Sequence, residues 1–170
     1  MSWSWKDRML RGVAVLLLSA LGACSGEPEG ELYFVGDSLV AGWDVREAFP
    51  TYIVRNDGVS GARLEDILTW NLDYRDKDVV MLIGTNNLGY EIINESTRRQ
   101  FIEDFVEEYR LTIETLTPRK VFVISILPRN FDSDDPSLNL CIEEMNFALS
   151  QMVNELSNGV FVDVHDDFLY

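Results

Sequence analysis

Five short apolar runs, spaced along the chain, limit its possible folds more than any other feature of the sequence. They occupy residues 32–35, 52–54, 79–83, 121–127 and 160–164. Continuous apolar runs of this length are typical of strands that are buried on both faces, as in parallel sheets. Parallel strands need long crossover connections, which are usually helices. The runs therefore predict a parallel sheet with helices between its strands.

The segments between the runs carry helical patterns. Residues 96–116 and 138–156 place apolar side chains at near-helical spacing, Pro118 ends the first segment, and Gly159 suits the end of the second. Shorter helical stretches are predicted at residues 39–49 and 62–70. The alternation of strands and helices predicts an α/β fold with a doubly wound parallel sheet and right-handed crossovers.

The first 23 residues are typical of an export signal. Basic residues precede the apolar run 12–21, which is too short to span a bilayer, because a spanning helix needs about 20 apolar residues. Residues 21–24, Leu-Gly-Ala-Cys, resemble the bacterial lipobox, in which the chain is cut before the cysteine and that cysteine is acylated. The alternative is a buried amphipathic helix that contains a core cysteine.

The lipobox resemblance implies a domain organisation and a location. We expect a signal peptide at residues 1–23, a tether at residues 24–30 and one domain at residues 31–170. Acyl chains on Cys24 would anchor the protein to a membrane without a spanning helix, on the periplasmic or cell-surface side of a bacterial envelope. Cys141 would then have no intrachain partner, and we expect it in the core.

The charge and the histidine content exclude several classes of protein. The chain has 29 acidic and 14 basic side chains, a formal net charge of −15 and a single histidine. Nucleic acid is not an expected partner, because binding to phosphates needs a basic surface. One histidine excludes a multi-histidine metal site, and we expect no metal and no organic cofactor. We expect the protein to be a monomer.

Polar residues follow each of the first three predicted strands. The loops are Gly36-Asp37-Ser38-Leu39, Asn56-Asp57-Gly58-Val59-Ser60-Gly61 and Gly84-Thr85-Asn86-Asn87. Each loop alone could be an ordinary turn, because these residues are the common turn formers. In open parallel sheets, however, sites form at the carboxyl ends of strands. Together the loops resemble blocks one, two and three of the SGNH hydrolases, the GDSL-type esterases and lipases.

The resemblance assigns a role to one residue of each loop. It implies that Ser38 is the nucleophile, and that the backbone N–H of Gly58 and the side-chain amide of Asn86 bind the oxyanion. The N–H of Ser38 would be a further donor. The resemblance also covers residues 126–129 and Asn146. The simpler alternatives are a turn serine, a turn glycine and a helix-capping asparagine.

The resemblance extends over residues 32–165, nearly all of the expected domain. It fits a flavodoxin-like, three-layer α/β/α fold whose five-stranded parallel sheet has the order 2-1-3-4-5. In that order strands two and three both flank strand one, so their loops would surround Ser38.

A base that could activate Ser38 is not evident in the sequence. The family carries it in an Asp-x-x-His motif on a loop beyond the fifth strand. The single histidine here, His165, lies in Asp163-Val164-His165 at the end of that strand. The first and fifth strands would be about 14 Å apart, at about 4.8 Å per strand. We therefore expect His165 to be a strand-end or surface histidine, although it is the only candidate base.

Several functions stay open. We expect a hydrolase of acyl esters, such as O-acetyl groups on carbohydrate or small lipid esters, impaired because the domain lacks the family's histidine motif and C-terminal helix. Such a chain would be a truncated esterase, a binding protein for acylated ligands that does not cleave them, or an atypical enzyme in which His165 reaches Ser38. A flavodoxin-like flavin protein is disfavoured, because Asp37 would repel a phosphate.

Overall fold

A computed structural model describes residues 30–89, 95–129 and 136–165. Its five strands are β1 (Glu31–Gly36), β2 (Ile53–Gly58), β3 (Asp78–Leu82), β4 (Lys120–Ile124) and β5 (Gly159–Val162). All neighbouring strands are parallel, and the order in the sheet is β2-β1-β3-β4-β5. The predicted fold class and strand order are confirmed.

Helices connect the strands, as the sequence predicts. The α-helices are α1 (Ser38–Ala41), α2 (Val45–Ala48), α3 (Glu95–Leu116) and α4 (Pro136–Glu155), and two 3₁₀ helices span Leu64–Thr69 and Thr85–Asn87. The two long helices, α3 and α4, agree closely with the predicted segments 96–116 and 138–156.

Apolar side chains form two clusters, one on each face of the sheet. Alternate residues of a strand point to opposite faces, so β3 contributes Val79 and Met81 to one cluster and Val80 and Leu82 to the other. The first cluster includes residues of α3, α4 and the first 3₁₀ helix, and the second includes residues of α1 and α2. Because both faces are buried, the central strands are apolar at nearly every position.

The predicted helical stretch at residues 39–49 is divided in the structure. Gly42 caps the end of α1, and α2 begins after Asp44, whose carboxylate accepts a hydrogen bond from the N–H of Glu47 (3.1 Å). An aspartate at the N-cap favours the start of a separate helix. The stretch predicted at 62–70 is a 3₁₀ helix.

β2 is longer than predicted and includes part of the second polar loop. Asn56, Asp57 and Gly58 belong to this strand, which lies at the edge of the sheet and pairs only with β1. The Asn56 amide donates to the carbonyl oxygens of Val40 (2.8 Å) and Trp43 (3.0 Å). An edge strand pairs on one side only and is partly exposed, so it can contain polar residues when their side chains form hydrogen bonds, as that of Asn56 does.

Cys141 is fully buried on α4 and is free, as predicted. The predicted signal peptide, Cys24 and nearly all of the tether lie outside the described residues. Among the helices of the described residues, none is long and apolar enough to cross a membrane.

Candidate active site

Ser38 lies at the junction between β1 and α1. Asp37 is the N-cap of α1, and Ser38 is the first residue of that helix and is exposed. The Asp37 carboxylate accepts a hydrogen bond from the N–H of Leu39 (2.8 Å), which fixes the turn. No hydrogen bond within the described residues involves the Ser38 hydroxyl. The nucleophile candidate is therefore accessible, but no base contacts it in this part of the chain.

Asp37 is a buried carboxyl group beside the candidate nucleophile. It is 1% exposed, and burial raises its pKa above the ordinary value. The hydrogen bond from Leu39 and the positive charge of Arg129 both oppose this effect and lower the pKa. The charge of Arg129, a residue that follows β4, thus affects the ionisation of the carboxyl group next to Ser38.

Gly58 has a packing role in the structure. It is the register partner of Gly36, and its N–H donates to the Asn56 side-chain oxygen (3.0 Å). A Cβ at Gly58 would overlap the backbone nitrogen of Ala41, so glycine here allows α1 to lie against β2. The N–H that the resemblance assigns to the oxyanion therefore has an acceptor within the chain. An oxyanion role for Gly58 stays a prediction.

Gly61 occupies a more open position in the same loop. Its φ of +82° lies in the left-handed region, which glycine adopts without strain, and no atom lies within 4 Å of the place where a Cβ would be. No hydrogen bond among the described residues uses its N–H. In the sequence, Gly61 is part of the second polar loop, in the pair Ser60-Gly61. The family resemblance, as applied above, assigns the role in this loop to Gly58 and none to Gly61.

Asn86 joins the third loop to the second. Its Nδ2 donates to the carbonyl oxygen of Ala62 (2.8 Å), which leaves the second N–H of the amide for another acceptor. The neighbouring Asn87 accepts the N–H of Leu64 (3.1 Å) and donates to Glu65 (2.9 Å). Both asparagines therefore hold the loop after β3 against the residues that follow β2.

The register of the strands brings the three loops together. Gly36 of β1 is paired with Gly58 of β2 on one side and with Leu82 of β3 on the other. The three strands therefore end side by side, at about 4.8 Å per strand. Ser38, Gly58 and Asn86 therefore lie at or just after the ends of neighbouring strands, at one edge of the sheet, as predicted from the strand order.

His165 lies away from this group. β5 is three strand positions from β1, which corresponds to about 14 Å. The expectation of a surface histidine is wrong, because His165 is only 5% exposed. The residues after β5 pack against the segment after β4, where the N–H of Val164 donates to the hydroxyl of Ser125 (2.9 Å). A catalytic role for His165 stays a prediction that the strand order does not support.

The edge around Ser38 supplies a hydroxyl, backbone N–H groups and a side-chain amide. Hydroxyl and N–H groups in this arrangement can attack a carbonyl carbon and bind the resulting oxyanion, which is the chemistry of acyl transfer. Within residues 30–89, 95–129 and 136–165, no three His, Cys, Asp or Glu side chains lie close enough together to hold a metal ion.

The buried carboxyl of Asp37 predicts a pH-dependent contribution to stability. Because its pKa is raised in the folded protein, ionisation of Asp37 costs stability as the pH rises through that pKa. We expect the free energy of unfolding of the wild type, relative to Asp37→Asn, to fall as the pH rises above about 4, the ordinary pKa of an aspartate, and to become constant once the pH exceeds the raised pKa. Asparagine keeps the N-cap, so the cap itself is not lost.

Urea denaturation at several pH values measures this difference. Asp44→Asn makes the same replacement at the exposed N-cap of α2 and controls for the change of capping group. A difference between wild type and Asp37→Asn that is constant, or that grows in favour of the wild type as the pH rises, would contradict the assignment.

Solved structures of similar shape come from several bacteria. The lipase/acylhydrolase of Enterococcus faecalis has a TM-score of 0.59 and 19% identity over 81% of this chain and 77% of that chain. An extracellular lipase of Streptomyces rimosus has a TM-score of 0.52 and 14% identity over 82% of each chain. A protein from Streptococcus pneumonia, whose name refers to platelet activating factor, has a TM-score of 0.61 and 19% identity over 95% of this chain and 78% of that chain. At these identities the likeness shows the fold.

Sequence comparison supplies the family. No curated protein matches the chain significantly. The family model of the GDSL-like lipases and acylhydrolases, in contrast, matches residues 34–170, which include all three polar loops. The chain therefore belongs to the GDSL-like lipase/acylhydrolase family.

Proposed function

We propose that the protein is a serine hydrolase of carboxylic esters, with Ser38 as its nucleophile. The observation that carries this proposal is the pairing of β1 with both β2 and β3, because of which the three polar loops leave the sheet side by side. Membership of a family of lipases and acylhydrolases supports the same class of reaction.

The proposed reaction begins when the Ser38 oxygen attacks the acyl carbon and a base takes the serine proton. The oxyanion accepts hydrogen bonds from the N–H of Ser38, the second N–H of Asn86 and a backbone N–H of the loop after β2. We assign this last donor to Gly61, because the N–H of Gly58 already donates to Asn56. The tetrahedral intermediate then expels the alcohol, and water hydrolyses the acyl ester on Ser38.

The base is the incomplete part of this proposal. His165 follows β5, and the strand order places β5 about 14 Å from β1. In a serine protease, loss of the catalytic histidine lowers turnover by about 10⁶-fold, and the remaining rate comes from the oxyanion hole and from binding. The described residues therefore account for slow hydrolysis only.

The substrate class and the location belong to the same proposal. The expected substrates are O-acetyl groups on carbohydrate or small lipid esters. The names of two similar proteins, an extracellular lipase and one that refers to platelet activating factor, favour lipid esters. Acylation of Cys24 would hold the monomeric domain at a membrane surface, close to such substrates.

A binding protein for acylated ligands is the second candidate function. The position of His165 favours it, because the described residues place no base beside Ser38, and N–H donors alone can bind an ester carbonyl and leave the ester intact. In this function Asn86 and Gly61 would contact the ligand, and Ser38 would only line the site.

Hydrolysis of p-nitrophenyl acetate distinguishes the two functions. We expect the wild type to release p-nitrophenol faster than buffer does, and Ser38→Ala to lose this activity, because no other hydroxyl would form the acyl ester. Ser60→Ala is the matched control, since it removes an exposed hydroxyl from the neighbouring loop and should retain the wild-type rate. Equal rates for the wild type and Ser38→Ala would favour the binding function.

Replacement of Asn86 by alanine tests the oxyanion site. Removal of one donor of this kind lowers kcat by about 10²- to 10³-fold, and we expect Asn86→Ala to fall in that range. Asn87→Ala is the control, because it breaks two hydrogen bonds between the loop after β3 and the residues that follow β2 but removes no proposed donor. If both variants lose the same share of activity, Asn86 acts only by holding the loop.

A further inference from the structure

Two asparagines of α4 bind the backbone of the segment that follows β4. Asn146 donates from Nδ2 to the carbonyl oxygen of Ile126 (2.8 Å) and accepts the N–H of the same residue (2.7 Å). Asn139 forms the same pair of hydrogen bonds with Arg129, at 3.2 Å and 2.9 Å. The Asn146 side chain and Ile126 are both buried, so neither pair of groups is exchanged with water at low cost. Asn146 therefore fixes the backbone of Ile126.

Ile126 is in close contact with Gly84, the residue that follows β3 by two positions. A Cβ on Gly84 would lie 2.7 Å from Cδ1 of Ile126 and 3.0 Å from Cζ of Phe105, a residue of α3. Gly84 also has a φ of +132°, a conformation that glycine adopts without strain. The Gly84 backbone is thus packed directly against the Ile126 side chain, with no room for a side chain between them.

Gly84 in turn begins the 3₁₀ helix that contains Asn86. It is the N-cap of that helix, and its carbonyl oxygen accepts the N–H of Asn87 (3.0 Å). The Asn86 side chain is held at its other end, where Nδ2 donates to the carbonyl oxygen of Ala62 (2.8 Å). The direction of the second N–H of this amide therefore depends on where Gly84 places the helix.

We propose that Asn146 is a positioning residue of the oxyanion site, because it holds Ile126 in place and thereby fixes the loop that carries Asn86. The inference rests on the proposed esterase function and on Asn86 as an oxyanion donor. Stabilisation of an oxyanion depends on donors that are already aimed at it, and a displacement of about 1 Å can lower the rate by about 10²-fold. Asparagine suits this position, because one amide supplies both a donor and an acceptor to the same backbone.

Matched alanine variants of the two α4 asparagines test the proposal. With p-nitrophenyl acetate as the substrate, we expect Asn146→Ala to lower kcat by about tenfold and to change KM by less than about twofold, because the oxyanion forms only in the transition state. Asn139→Ala removes the same pair of hydrogen bonds from the same helix, but at Arg129, beyond the contact with Gly84. It should keep the wild-type kcat. Equal losses of kcat in the two variants would overturn the proposal.

A smaller change tests the same contact if Asn146→Ala does not fold. Ile126→Val removes Cδ1, the atom that lies nearest to the Cβ position of Gly84, and keeps both hydrogen bonds to α4. We expect it to lower kcat by about threefold with an unchanged KM. Ile113→Val removes the same atom from a buried isoleucine of α3 in the same apolar cluster and should keep the wild-type kcat. A wild-type kcat for Ile126→Val would contradict the proposal.

A double-mutant cycle separates positioning of Asn86 from a general loss of structure. Once Asn86 is replaced by alanine, there is no amide left to position, so Asn146→Ala and Ile126→Val should each lower kcat by less than about twofold in that background. Losses of the same size in the wild-type and Asn86→Ala backgrounds would show that these residues act elsewhere, and would overturn the proposal.

A spectroscopic measurement distinguishes failure of this inference from failure of the proposed function. If the wild type hydrolyses the ester no faster than Ser38→Ala does, the proposed function fails, and the contact is then followed through the NMR signals of the Asn86 side-chain amide. We expect Asn146→Ala and Ile126→Val to shift these signals, and the two control variants to leave them unchanged. Signals that stay in place in Asn146→Ala and Ile126→Val would overturn the positioning role, whatever the activity.

Discussion

The parallel pairing of β1 with β2 on one side and β3 on the other is the constraint on which the candidate site depends. Gly36 lies so close to β3 that a Cβ would overlap the carbonyl oxygen of Leu82, and Gly58 lies equally close to the backbone of α1 at Ala41. These two glycines allow the ends of the strands and the start of α1 to converge. The loop that carries Ser38 consequently leaves the sheet between two other polar loops.

The central strands could be predicted from the sequence because burial on both faces makes each of them continuously apolar. β2 could be predicted only in part. Asn56, Asp57 and Gly58 have the composition of a turn, and they form a strand because β1 pairs with them and the Asn56 amide bonds to Val40 and Trp43. Those partners are distant in sequence, so local pattern does not reveal them.

The candidate site was predictable to a similar extent. The loops of Ser38 and Asn86 follow from the strand order, whereas the use of the Gly58 N–H by Asn56 depends on a side-chain rotamer that composition does not encode. His165 is buried where the residues after β5 meet the segment after β4, as in the hydrogen bond from Val164 to Ser125, and these segments are brought together by the pairing of β4 with β5.

Two asparagines of α4, Asn146 and Asn139, form hydrogen bonds with the backbone of the segment that follows β4. The ladder of β4 ends at Ile124, yet Ile126 and Arg129 stay fixed because Asn146 and Asn139 bond to their backbone groups. These hydrogen bonds explain why two polar side chains occur on an otherwise apolar face of α4. They keep the segment after β4 in place beside the candidate active site.

Ser38 as the nucleophile is tested most directly by mass spectrometry of the intact protein after incubation with a fluorophosphonate, which forms a stable adduct with reactive serines. The predicted result is a single adduct that maps to Ser38 and is absent from Ser38→Ala. We expect it to form slowly, because no base contacts Ser38 among the residues that the structure describes. The absence of any adduct on the wild type, or an adduct that persists in Ser38→Ala, would contradict the assignment.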